Sequence, residues 1–159
     1  MQDVAAVGVL FVEVVDDVII DDSADTYHDD SIEISIDGLN DRSGPLGDDD
    51  HWVIVCAEGL YASLGPNNID ITGSIQLTDV GYNVEIAFDR DDLGSGDASL
   101  LGFNIALNDD DGHGNSDVDA YGLWHVPSSL ECIDCCGGDT ATKYPWCDTT
   151  RLGQLQLVP

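Results

Sequence analysis

Leu101–Trp124 reads LGFNIALNDDDGHGNSDVDAYGLW, a strand that runs into an acidic loop. Leu101, Phe103, Ile105 and Leu107 alternate with Gly102, Asn104 and Ala106, the period of an extended chain with one apolar face. The following stretch holds Asn108, Asp109, Asp110, Asp111, Asn115, Asp117 and Asp119. So many carboxylates beside a strand end repel one another unless a cation gathers them. A hard divalent ion with an all-oxygen shell does this, and Ca2+ tolerates an irregular loop better than Mg2+. The spacing Asp109-x-Asp111-x-His113-Gly114-x-x-Asp117 approximates a calcium loop, with His113 where an oxygen donor is expected. Ala120 fills the position that an EF-hand gives to an acid, so the loop is not an EF-hand. The alternative for the same residues is a solvated acidic turn.

Outward from this stretch the same period recurs. Ile32, Ile34 and Ile36 alternate with Glu33 and Ser35, and Tyr82, Val84, Ile86 and Phe88 alternate with Asn83, Glu85 and Ala87. Trp52–Ala57, Ile69–Leu77, Ala120–Val126 and Leu152–Val158 are also strand-like, and the apolar run Val4–Val15 reads as a buried strand. That makes about eight strands punctuated by Gly, Asn and Asp turns, the pattern of a two-sheet antiparallel sandwich. Only Asp89–Leu93 suits a helical turn, with Asp89 as its cap. The chain is expected to be all-β, one domain over residues 1–159.

Composition narrows the function. There are 32 acidic residues, only five of them Glu, against four Lys and Arg, for a net charge of −28. Asp is poor in regular strands and good in turns and metal loops. A field of that sign repels phosphate backbones and anionic lipid, so neither nucleic acid nor membrane is an expected partner. It also opposes compaction unless cations are bound. The apolar N-terminal run lacks the basic flank of a secretory signal and is too short to span a bilayer.

The order of segments carries a resemblance. FVEVVDDVIIDDSADTYHDDSIEISIDG, then DDDHWVIV, GYNVEIAFDRDDLG, LGFNIALNDDDGHG, a strand ending in Trp124, and LGQLQL together resemble carbohydrate-binding module family 9 and its DOMON-like relatives. The resemblance covers Phe11 to Leu157 and implies an antiparallel sandwich, bound calcium, no catalytic residues and, in sugar-binding members, aromatic side chains that clamp a sugar. It places Asp29, Asp30 and Ser31 on the family's "DDS" motif and Asn108, Asp109 and Asp110 on its "NDD" motif, as structural or calcium positions. Asp16, Asp17, Asp21, Asp22 and Asp25 form a second acidic loop whose ligands the sequence does not rank. A sugar platform needs exposed flat rings, and Trp52, Trp124, Trp146, Tyr121 and Tyr144 are the candidates, with core packing as the alternative for Trp52 and Trp124. Two departures stand out: the family usually opens with a further segment ahead of the strand at Val9–Val15, and residues 131–148 form a Cys-rich insert.

Cys132, Cys135, Cys136 and Cys147 crowd into that insert, while Cys56 stands apart on a strand. A zinc site normally wants two separated Cys-x-x-Cys pairs and only one is present, so disulfides stapling the insert are the expectation, with Cys56 left as a small buried hydrophobe. There is no Gly-x-Ser-x-Gly, His-Glu-x-x-His or phosphate-binding glycine loop, and carboxylate pairs are too abundant to signal a glycosidase. The chain is therefore expected to be non-catalytic.

Two binding or structural functions remain, both extracellular. One is a self-assembling, calcium-binding subunit of a surface fibre or matrix. It would form a homo-polymer in which the strand bearing Val9 and Phe11 is donated to a neighbouring copy. The other is a carbohydrate-binding module attached to a secreted polysaccharide-degrading enzyme. The apolar N-terminal strand, the abbreviated opening and the absence of an enzyme or linker tilt the expectation toward the fibre.

Overall fold

A computed structural model of the chain describes residues 7–23, 25–43, 46–59, 61–63, 69–94, 99–112, 120–124 and 152–157. Among these residues there are nine strands: β1 (Val7–Val15), β2 (Ser31–Asp37), β3 (Asp50–Cys56), β4 (Tyr61–Ser63), β5 (Ile71–Thr78), β6 (Gly81–Asp89), β7 (Leu100–Asp109), β8 (Ala120–Leu123) and β9 (Gly153–Gln156). One 3-10 turn, Thr26–His28, precedes β2. The strands form an antiparallel three-stranded sheet, β1-β6-β5, and a six-stranded sheet, β4-β3-β2-β7-β8, with β9 also paired to β7.

Alternation explains why these segments pack face to face. Ile32, Ile34 and Ile36 of β2, Val53 and Val55 of β3, and Leu101 and Phe103 of β7 turn toward Val14 of β1 and Tyr82, Val84, Ile86 and Phe88 of β6. All belong to one buried apolar cluster, with Leu10, Val12, Ile105 and Leu107 at its margin. Gly81, at φ +138, starts β6 where a side chain would run into the Val14 carbonyl. Gly102 leaves room for a buried carboxylate: a Cβ there would lie 2.8 Å from Cβ of Asp37.

One local expectation holds and two about β1 shift. The Asp89–Leu93 segment makes a single turn, as expected, closed by Leu93 N donating to Asp89 O at 3.3 Å and capped by Asp91 N on Asp89 Oδ1 at 2.9 Å. β1 is only half-buried, because its outward residues Val7, Val9 and Phe11 are exposed while Leu10, Val12 and Val14 meet the core. β1 also pairs along its whole length with β6 of its own chain, Val7 opposite Asp89 through Val15 opposite Gly81. The disulfide candidates Cys132, Cys135, Cys136 and Cys147 lie outside the described residues. Cys56 is a buried free thiol pushed up to about 12 by burial and by Asp21 and Asp29.

Candidate functional site

The face of β2 opposite the core is polar yet buried. Ser31, Glu33, Ser35 and Asp37 point there, and each is at most 4% exposed. The ladder sets Asn108 opposite Ser31 and Asn104 opposite Ser35 on one side, and Cys56, Ile54 and Trp52 opposite Ser31, Glu33 and Ser35 on the other. Asn108 Nδ2 donates to Ser31 Oγ at 3.0 Å and to Glu33 Oε1 at 2.9 Å, and Trp52 Nε1 donates to Glu33 Oε2 at 3.0 Å. Burial raises the Glu33 pKa, and the bonds from Asn108 and Trp52 pull the other way. The carboxylate is thus held in one orientation by two donors, with further lone pairs on both oxygens.

The turn ahead of β2 carries an exposed aromatic ring. Tyr27, 41% exposed, sits in the 3-10 turn, its ring edge-on to His28 at 4.3 Å between centroids. The turn packs on β2 and β3, and Cys56 Sγ reaches Thr26 O at 3.8 Å. Since Cys56 lies opposite Ser31, the turn borders the Ser31–Asn108–Glu33 row.

The expected sugar-binding aromatics separate. Half-buried Trp52 is on the polar face, bonded to Glu33. Trp124 is 58% exposed but belongs to the other face of the same sheet. Its ring meets Phe103 edge-on at 5.9 Å, and it lines an apolar crevice with Val12, Val14, Ile105 and Leu107. Tyr121 is the backbone partner of Asn108. Trp146 lies outside the described residues, as do Tyr144 and Asp117. Glu33 and Tyr27 are the members that sequence reasoning passes over. The available signals were an aromatic just before the "DDS" motif and a rare Glu among aspartates.

At the start of β2 the expected metal residues divide in two. Consecutive residues of an extended chain point to opposite sides, so Asp29 and Asp30 part, as do Asp109 and Asp110 at the end of β7. Carboxylate oxygens of Asp16, Asp30 and Asp109 come within 4.8 Å of one another, and so do those of Asp22, Asp29 and Asp110. Asp16, Asp17 and Asp111 make an overlapping outer group. Asn108, expected as a ligand, has its amide nitrogen committed to Ser31 and Glu33. Asp30 Oδ1 accepts from Asp110 N at 2.8 Å and Oδ2 from Ile20 N at 2.5 Å. Burial still raises its pKa to about 6, against those two bonds and with help from Asp16 and Asp109. The hydroxyl of Tyr82, wholly buried, has no hydrogen-bond partner, and Asp30, Asp16 and Asp109 are among the charges that act on it. A fourth group, Asp37, Asp49 and Asp50, lies at the other end of β2.

Comparison with known proteins places this architecture. The family described as "Carbohydrate family 9 binding domain-like" matches residues 2–159. Over 98 residues the chain is 30% identical to endo-1,4-beta-xylanase A of Thermoanaerobacterium saccharolyticum. That match takes in 62% of the chain and 8% of the xylanase, so the chain corresponds to a small part of that protein's length. A family 9 carbohydrate-binding module from Caldicellulosiruptor kristjanssonii in complex with cellotriose superposes with a TM-score of 0.74 at 19% identity, over 94% of this chain and 68% of that one. Its complex with glucose superposes at 0.73 and 18% identity, over 96% and 71%. These likenesses establish the shared fold. They also overturn the fibre reading. A strand that completes the β1-β6-β5 sheet of its own domain is not one set aside for donation, and the relatives are sugar-binding modules rather than polymer subunits. The chain belongs to the carbohydrate family 9 binding domain-like family, whose members bind without catalysing.

Proposed function

We propose that this domain is a carbohydrate-binding module of an extracellular polysaccharide-degrading system, and that it engages sugar at the strip around Glu33. The observation that carries the reading is a carboxylate buried in a sheet face and fixed by Asn108 and Trp52, with exposed Tyr27 on the turn that packs against the same strands. Burying a charge is costly unless it is hydrogen-bonded, and a fixed acceptor beside a flat ring is what a pyranose recognises: hydroxyls donate to the carboxylate while the apolar ring face stacks. The family match, the part-length similarity to a xylanase and the sugar-bound structural relatives point the same way.

Calcium belongs to this reading. Asp16, Asp30 and Asp109 fit a hard cation, because their oxygens converge on a place where the buried Tyr82 hydroxyl lacks a partner. Bound there, Ca2+ would neutralise three carboxylates and knit the end of β1, the start of β2 and the end of β7, the strands that border the sugar strip.

Calorimetric titration with cello- and xylo-oligosaccharides tests the function. The calcium-loaded protein should bind at least one of these series. Glu33→Gln and Tyr27→Ala should each weaken binding at least tenfold while the melting temperature shows the sandwich intact. Lack of binding by the folded, loaded protein to these sugars and to insoluble cellulose and xylan would refute the reading. Full affinity in both variants would move the site elsewhere.

A further inference from the structure

We propose that the outer face of the β1-β6-β5 sheet is a second polysaccharide-binding surface, one that lies flat against neutral glycan chains in a solid. The inference rests on the reading of this domain as a polysaccharide binder, but not on the strip around Glu33, which occupies the outer face of the other sheet.

Alternation sorts the residues of the three strands. Leu10, Val12 and Val14 of β1 and Tyr82, Val84, Ile86 and Phe88 of β6 turn to the core, so Val7, Val9, Phe11 and Val15 turn outward. Those four are 56%, 66%, 58% and 74% exposed. The register carries the outward rows across the sheet: Val9 to Ala87 to Thr72, Phe11 to Glu85 to Ser74, and Glu13 to Asn83 to Gln76. The result is a platform with an apolar rib along β1 and hydroxyls and amides along β5. With strands about 4.8 Å apart it is roughly 10 Å wide, and β1 gives it a length of roughly 30 Å. Several sugar rings of one chain fit along it.

Charge identifies the occupant. The chain has 32 acidic residues in 159, yet β5, ITGSIQLT, has six of its eight residues exposed and none charged. The outward row of β1 holds one acid, Glu13, and none of the three strands contains Lys or Arg. Without a cation the face does not attract phosphate, sulfate or anionic lipid, and a basic partner finds far more acid elsewhere on this surface. Apolar side chains beside uncharged hydroxyls and amides match a neutral sugar, whose C–H faces are apolar and whose rim of hydroxyls both donates and accepts. Exposed apolar rows of this length on an edge strand are normally guarded by charge or covered, which makes the rib a contact surface. Phe11 is the one ring in it, so the contact is weak per chain and gains strength from repetition in a solid. Phe11 and Glu33 point away from the core on opposite sheets, so one domain can hold two chains.

Adsorption to insoluble cellulose and xylan, measured beside calorimetric titration with cello- and xylo-oligosaccharides, tests the proposal. Val9→Thr combined with Phe11→Thr keeps β-branched side chains on the strand. It should weaken adsorption roughly fivefold or more and leave oligosaccharide affinity and melting temperature unchanged. Glu33→Gln, which loses the soluble sugars, should still adsorb and should stop adsorbing when the β1 pair is added. Adsorption equal to the parent's in the folded double variant would overturn the proposal and leave the Glu33 reading standing. So would a parallel loss of soluble-sugar binding, since one site would then serve both. A parent that binds neither solid nor soluble sugar ends both readings. Sedimentation of the parent as a dimer that the double variant dissolves would give the face to a second copy instead. Should the pair fail to fold, Ser74→Ala with Gln76→Ala on exposed β5 is read by the same criteria.

Discussion

The two ends of β2 are built from the same residue type and use it differently. At the far end, Asp37 accepts from Asp41 N at 3.2 Å and Arg42 N at 3.0 Å, Asp49 Oδ2 from Leu39 N at 3.0 Å, and Asp50 Oδ2 from Gly47 N at 2.6 Å. Each acceptor serves a donor within ten residues, so these carboxylates close turns. At the near end, Asp30 accepts from a residue eighty positions away, and the acids of β1, β2 and β7 converge. Both ends bury polar atoms without partners, the Tyr82 hydroxyl and Asp110 Oδ2 at the near end and Asn40 Oδ1 at the far end. Acids from one stretch of chain finish its loops, whereas acids converging from remote segments suit an ion. An aspartate count cannot tell these apart; the sequence distance between the acids that converge can.

The largest expected effect comes from removing calcium. A ligand that binds only the native state contributes about 3–4 kcal/mol at several hundred-fold excess over its dissociation constant. For a domain of this size, that corresponds to a fall in melting temperature of roughly 6–16 °C. Thermal unfolding with EDTA at low salt should show it. Asp30→Asn should shrink the response, while Asp37→Asn should melt lower yet retain it in full. A melting curve indifferent to EDTA would erase the distinction between the ends.

What the sequence reveals follows the same line. Strands with clean alternation, such as Ile32–Ile36 and Tyr82–Phe88, are legible because burial on one face imposes the period. β4 is missed because three residues hold no period. Asp30 and Asp109 are legible from their motifs, but Asp16 looks like every other acid in its loop until the fold brings it to them. Glu33 is overlooked for a different reason. Alternation marks it as facing away from the core, which normally means water, yet this face is buried and Glu33 is 4% exposed. The donated-strand idea failed because an apolar run of Val and Leu has the same composition whether it pairs at home or abroad.

A smaller effect should appear in the pH dependence of the far end. Burial, assisted by Asp37 and Asp49, raises the Asp50 pKa to about 6 although Gly47 N donates to it. Between the unfolded value near 4 and 6 the native state holds the proton that the unfolded chain has released. Stability therefore falls as pH rises through that window, and the loss persists above it. In chelator, Asp50→Asn should flatten this slope and recover roughly 1–2 kcal/mol at pH 7.5. Urea unfolding from pH 4.5 to 7.5 measures it. Parallel curves for the two proteins would mean that this end carries no titratable penalty.

The smallest effect is the sharpest discriminator. Asp49 holds the Leu39 amide through an exposed bond, and its own carbonyl accepts from Gly38 N at 2.9 Å. Asp49→Ala removes the first bond and keeps the second, so it should cost about 0.5–1 kcal/mol and speed hydrogen exchange at Leu39. If this end only closes turns, the cost must be the same with calcium and with EDTA, because no ion is lost with the side chain. Asp16→Asn at the near end should behave oppositely, destabilising in calcium and nearly silent in EDTA, since the amide oxygen still accepts from Val18 N. Both substitutions remove one half-buried carboxylate, so the general relief of the −28 net charge is shared and cancels from the comparison. A calcium-dependent cost for Asp49→Ala would show that Asp37, Asp49 and Asp50 also hold an ion and that the two ends are alike.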